Sequence, residues 1–195
     1  MRWLNGRNLG IFLTFIFLHV ENSAMAFDLS DIQTFDVGGS KVILKSTPDF
    51  QEIIAFQMSI KAGAAVTNRP GLLELLTKTL PSGTPSYTKD QIDQIFVENG
   101  ASFGIEPRGD QIEVTVKCLK KFLPTILPVV SEMIRVPLLT PDEVELSRKR
   151  QTAELKNEWE NPDGIIGLIT SKALYNGHPY GIRPIGYLET LPSLK

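Results

Sequence analysis

The side chains able to do metal or nucleophilic chemistry are scarce in this sequence. It holds two histidines, His19 and His178, and a single cysteine, Cys118. A hydrolytic zinc centre takes three protein ligands of the His₂Glu, His₃ or Cys₂His kind and keeps one position open for water. Beyond the first 26 residues only His178 and Cys118 remain, and they cannot supply any of those sets. Cys118 sits in EVTVKCL, which alternates like a strand, so its thiol is expected to be buried and inert. An isolated imidazole makes a poor transition-metal site, and His178 is expected to cap or pack the loop around Gly177 and Pro179. Arg108-Gly109-Asp110 invites an adhesion reading, but a triplet recurs by chance, and a polar glycine turn between strands accounts for it. With 20 basic and 22 acidic residues the net charge is −2. No nucleic-acid partner and no polybasic membrane patch is expected from that balance.

The elements that must position these groups alternate in kind. Lys41–Ser46 and Ile53–Ala62 read as short strands separated by Pro48-Asp49. Gly71–Leu80 (GLLELLTKTL) reads as a helix, apolar on most of its circumference and therefore buried. Thr88 with Gln91 forms a capping box for a second helix ending at Asn99-Gly100. Strands over 101–105 and 111–119 follow, joined by a turn with Pro107 and the Arg-Gly-Asp triplet. Residues 120–135 are helical in pattern, with Pro124 and Pro128 expected to kink or break them. Thr140-Pro141-Asp142-Glu143 starts a further helix, running to Trp159 and ended by Asn161-Pro162-Asp163-Gly164. A last helix is predicted over Ile165–Tyr175. The order β-β-α-α-β-β-α-α-α, with too little chain between paired strands for crossovers, implies an α+β fold with a mostly antiparallel sheet packed with helices.

The amino terminus speaks to destination. Arg2 and Arg7 precede an apolar run from Gly10 to Val20, and Ala24 and Ala26 give the small-x-small pattern of a cleavage site. Residues 1–26 thus read as a secretory signal peptide, and 27–195 as one exported domain, with no membrane attachment after cleavage. The run is short of the roughly 20 apolar residues a spanning helix needs; an uncleaved anchor is the alternative. One cysteine allows no intramolecular disulfide.

Several landmarks line up with one family. Gly71-Leu72, the helix that follows and Gly83-Thr84 resemble the GL-x-HxxEH-…-GT helix of the pitrilysin, insulinase and mitochondrial-processing-peptidase family, the inverzincins. Glu98-Asn99-Gly100-Ala101-Ser102 looks like that family's turn into its substrate-facing strand, which places Ser102, Phe103 and Gly104 on that strand by resemblance. Arg150–Asp163 looks like the third-ligand helix and the break after it. His178-Pro179-Tyr180-Gly181 and Pro184-Ile185-Gly186 resemble its HPYG stretch. The likeness runs from about Thr34 to the end of the sequence.

The resemblance also says what is missing. In HxxEH two imidazoles one helical turn apart hold zinc, the Glu between them works on a metal-bound water, and a distant carboxylate completes the site. Counted from Gly71, those helix positions hold Glu74, Thr77 and Lys78, and the third-ligand position falls on Glu154, 76 residues beyond Lys78. The family's second acid falls on Ser147, and the Asn of its substrate-gripping strand on Gly104. The resemblance therefore implies a remnant of a zinc site, with no catalytic residues and no bound metal expected. Lys78 is expected to pair with Glu154, and with Glu74 as well, so that an internal cation replaces the metal; the alternative is a lysine that reaches solvent from the helix edge. The family's habits imply a periplasmic, inactive partner of an active zinc peptidase homologue with an intact HxxEH helix, enclosing unfolded peptides. A stand-alone peptide-binding protein and an active peptidase using Glu74, Glu154 and His178 as ligands are the other readings. The family's full subunit carries a second domain of similar size.

Overall fold

The computed structural model describes residues 31–46, 52–63, 67, 69–158 and 160–194. The signal-peptide reading of residues 1–26 and the Pro48-Asp49 turn lie outside them. The chain divides into two compact units, Met1–Pro48 and Asp49–Lys195.

In the first unit, β1 (Ile32–Val37) and β2 (Ser40–Lys45) pair antiparallel, Val37 facing Ser40. Gly38 and Gly39 make the connection at φ 56° and 82°. A type I′ hairpin turn needs positive φ at both central positions, which glycine adopts without steric cost. β1 is an addition to the elements read from the sequence, although Gly-Gly between two β-rich runs is a hairpin signal.

In the second unit, β3 (Ile53–Ile60), β4 (Ser102–Pro107) and β5 (Ile112–Leu119) form an antiparallel sheet of order β3-β5-β4. The helices are α1 (Leu72–Thr79), α2 (Lys89–Glu98), α3 (Leu123–Arg135), α4 (Pro141–Glu158) and α5 (Pro162–Leu174). The fold is α+β. The strands read as one mostly antiparallel sheet fall instead into two sheets, because β2 pairs with β1 and β3 with β5.

β5 shows why helices cover one face of the larger sheet. Ile112, Val114, Val116 and Cys118 alternate inward and are buried with Ile92 and Phe96 of α2 and Ile126, Val129, Val130 and Met133 of α3. Burial also pushes the Cys118 thiol pKa up, as befits an inert core residue. A second cluster joins Leu75 of α1, Leu155 of α4, Leu191 and Leu194.

The expected break at Pro124 and Pro128 does not occur: α3 is one element through both. Pro124 lies in the first turn, where a backbone N–H has no helical partner to lose. Pro128 removes one internal hydrogen bond, a cost of about 3 kcal/mol. Four buried apolar side chains of α3, each worth about 1.5–3 kcal/mol, outweigh it. Pro107 likewise ends β4 rather than entering the turn, and α5 starts at Pro162, not Ile165, since proline is preorganised for a first helical position.

The capping box is present: Gln91 N–H donates to Thr88 Oγ1 (3.3 Å) and Thr88 N–H to Gln91 Oε1 (2.9 Å). Thr88→Ala is expected to lower stability by about 1 kcal/mol in a urea melt, with the slope of the transition unchanged. Among the described residues no helix is long and apolar enough to cross a membrane.

Candidate functional site

α1 packs against both α4 and β4. Its start is fixed by Gly71, at φ 88°, and its inner face by Leu75, Thr77 and Thr79, all buried. The two threonine hydroxyls are used locally, Thr77 Oγ1 donating to the Glu74 carbonyl (3.1 Å) and Thr79 Oγ1 to that of Leu75 (2.7 Å). That leaves Glu74 and Lys78, one turn apart, on a flank of the helix. α4 buries Ser147, Gln151 and Leu155, and so presents Glu154 beside α1.

The ion pair expected from the sequence is present, and Glu74 joins it. Lys78 Nζ lies 3.0 Å from Glu74 Oε1 and 2.9 Å from Glu154 Oε2. The Lys78 side chain is 26% exposed, Glu74 18% and Glu154 49%. Burial pulls the Lys78 pKa down, but hydrogen bonds to Glu154 and Glu74 and their charges outweigh it, and the net shift is upward. The ammonium is therefore protonated at neutral pH and has no lone pair to offer a metal or a water.

These residues do not fit zinc. Lys78 cannot ligate, the buried Thr77 hydroxyl is held by its own helix, and the ammonium already bridges the two carboxylates. Among the described residues no three His, Cys, Asp or Glu side chains gather as a metal-holding group, so Glu74, Glu154 and His178 do not form one. His178 Nδ1 accepts from the Tyr180 N–H (3.1 Å), its ring 4.8 Å from that of Tyr180 and edge-on. It caps the short 3₁₀ turn Pro179–Gly181.

β4 lies at the margin of its sheet, with β5 its one strand neighbour among the described residues. Phe103 points to the core and packs near Phe96, ring centroids 5.9 Å apart. Ser102 and Gly104 share the opposite face, across from Lys117 and Thr115. A Cβ at Gly104 would lie 2.7 Å from Thr115 Oγ1. The Arg-Gly-Asp triplet is engaged within the chain: Arg108 pairs with Glu106 (3.0 Å) and Glu113 (3.3 Å), and Tyr180 donates its hydroxyl to Asp110 (2.5 Å).

Sequence reasoning missed the polar residues that hold α1 and α4 to the carboxyl-terminal segment. Gln151, fully buried, donates through Nε2 to the Gly71 carbonyl (3.1 Å) and the Ile185 carbonyl (2.8 Å). Arg148 donates to the carbonyls of Leu191 and Leu194 (2.8 Å for the latter). Gly186, at φ 79°, abuts the backbone of Gly71.

A family model for insulinase (peptidase family M16) matches residues 41–186. The chain belongs to that family. Within it this is a degenerate member. The chain is similar to the non-peptidase homolog YmxG of Helicobacter pylori (strain ATCC 700392 / 26695), 19% identical over 140 residues, 71% of this chain and 32% of that protein. Among solved structures it is similar to the peptidase M16 inactive domain from Pseudomonas fluorescens, with TM-score 0.77 and 22% identity over 85% of this chain and 41% of that one. A protease from Helicobacter pylori gives TM-score 0.77 and 18% identity, covering 84% and 40% of the two chains. Pitrilysin gives TM-score 0.71 and 20% identity, covering 87% and 19%. These likenesses show the insulinase-family fold. The chain spans about a third of the curated relative's length and less than half of each solved chain.

Proposed function

We propose that this protein is a non-catalytic insulinase-family subunit, exported to the periplasm, that helps an active zinc peptidase homologue bind and enclose unfolded peptides. The observation that carries the reading is the Lys78 ammonium, seated between Glu74 and Glu154, on the helix pair to which the family resemblance assigns an active relative's metal. Peptide hydrolysis on zinc needs an activated water and a base; an ammonium with a raised pKa supplies neither. The names of two relatives, a non-peptidase homolog and an inactive domain, support the same reading. β4 lies at the margin of its sheet among the described residues, and an extended peptide would add there as a strand.

Affinity purification of the tagged full-length chain from its own cells, followed by identification of bound proteins and a peptidase assay, tests this. The expected result is a partner chain with an intact HxxEH helix, and peptidase activity that a chelator abolishes and that the purified chain alone lacks. A monomer that protects peptides without a partner would replace this reading with a stand-alone binder. Stoichiometric zinc with chelator-sensitive cleavage by the isolated chain would overturn it.

A further inference from the structure

The last turns of α5 and the segment that follows them line a cleft of about 660 Å³, a volume that suits a small ligand or the end of a peptide. Glu74, Lys78 and Glu154 are not part of its lining. Hydrogen-bond donors dominate it. Arg183 is the most constrained of them, its side chain 11% exposed. Its Nη2 donates to Glu158, and its guanidinium lies 5.8 Å from the centre of the Tyr187 ring, within cation–π range. Nε and Nη1 make no hydrogen bond among the described residues, although a largely buried donor is costly to leave without an acceptor. Lys172, in the last turn of α5, is exposed and forms no ion pair among the described residues. His178 Nδ1 accepts from the Tyr180 N–H, so the ring proton sits on Nε2, which remains a donor. Tyr175 and Tyr187 add aromatic surface.

From this lining we infer that the cleft is a binding site for the carboxyl end of a peptide whose last side chain is aromatic or bulky and apolar. A carboxylate offers two acceptor oxygens, and a guanidinium with free nitrogens and an ammonium are the donors that bind it most strongly. The tyrosine rings give the last side chain an apolar surface to lie on. Glu189 also lines the cleft and forms no ion pair among the described residues. Its charge disfavours a dianion such as phosphate and suits a ligand that carries N–H donors beside a single carboxylate, as a peptide end does. Only the choice of a peptide as ligand depends on the function proposed above. Absence of a partner chain would leave this site standing, and failure of this site would leave the partner reading standing.

Fluorescence anisotropy on the purified full-length chain decides it, with a short peptide that ends in phenylalanine and carries a dye at its amino end. The wild type is expected to bind the free-acid peptide, and to bind the same peptide as its carboxamide about tenfold more weakly, because the charge-assisted bonds are lost. Lys172→Glu is expected to weaken the free-acid peptide about tenfold. Lys149→Glu, an exposed change on α4 outside the cleft, is expected to stay within about twofold. Inorganic phosphate is expected not to compete. No binding by the wild type, or equal binding of acid and carboxamide, overturns the site. So does a Lys172→Glu protein that binds as the wild type does, or a Lys149→Glu protein that loses as much, since general charge would then account for the affinity. Competition by phosphate as strong as by unlabelled peptide overturns the peptide end as the ligand. If Lys172→Glu does not fold by circular dichroism, the comparison of acid and carboxamide on the wild type still decides the question.

Discussion

Gly186→Ala is expected to lower the stability of the folded chain by about 2–5 kcal/mol, a large part of the roughly 5–15 kcal/mol a domain possesses. Two costs combine. At φ 79° a side-chain-bearing residue is left-handed, which costs about 1–2 kcal/mol. The new Cβ would also lie 2.8 Å from Gly71 Cα, 2.9 Å from Gly71 N and 2.9 Å from the Pro70 carbonyl oxygen. All three atoms are backbone, so no rotamer change relieves the overlap, and overpacking of this kind adds about 1–3 kcal/mol. Gly100→Ala separates the two costs: Gly100 has φ 56° and an added Cβ there would meet nothing within 4 Å, so only the conformational loss of about 1–2 kcal/mol is expected. Urea melts of both variants check the difference; equal losses would mean that the Gly71–Gly186 approach is not tight. The effect reaches the site because Gly71 fixes where α1 begins, and hence where Glu74 and Lys78 meet Glu154.

The legibility of this fold follows the range of its interactions. The capping box at Thr88 and Gln91, the stop at Asn99-Gly100 and the alternation through Cys118 are local, and the structure repeats them with small boundary shifts. The break expected at Pro128 fails because propensity is local, while the packing of Ile126, Val129, Val130 and Met133 that overrides it is tertiary. Lys78 and Glu154 can be matched across 76 residues only because the family resemblance supplies the register; no periodicity in α4, polar around most of its surface, singles out Glu154 from Glu145 or Glu158. Gly71 and Gly186 are visible in the sequence as landmarks but not as neighbours. Gln151 and Arg148 carry no signal, because a glutamine and an arginine in a charged helix read as solvent-facing until the carbonyls of Ile185, Leu191 and Leu194 are brought against them.

Those buried carbonyls give the second large effect. Gln151→Glu is nearly isosteric, yet it exchanges the side-chain amide that donates to both Gly71 and Ile185 for a carboxylate. Gln151 Oε1 already has no hydrogen-bond partner among the described residues, so the ionised acid would find acceptors on one side and no donor on the other. Arg148, one turn back, is committed to Leu191, Leu194 and Glu145. Removing the proper partner from a buried charge costs about 3–5 kcal/mol, and that loss is expected at neutral pH. The pH dependence follows from the sign of the shift. Burial without a cation raises the acid's folded-state pKa above its unfolded value of about 4.3, so the native state holds the proton over that interval and the unfolded state releases it. Stability is then expected to fall as pH rises from about 4.3 to the folded pKa, by up to about 1.4 kcal/mol per unit, and to be regained on acidification. Gln151→Leu, which loses the donor without adding charge, is expected to cost about 1–3 kcal/mol with no such added slope. Chemical denaturation of both variants between about pH 5 and 8 distinguishes them. A Gln151→Glu protein with the wild-type pH profile would mean that residue 151 escapes to solvent, and that α1, α4 and the carboxyl-terminal segment are held together without it.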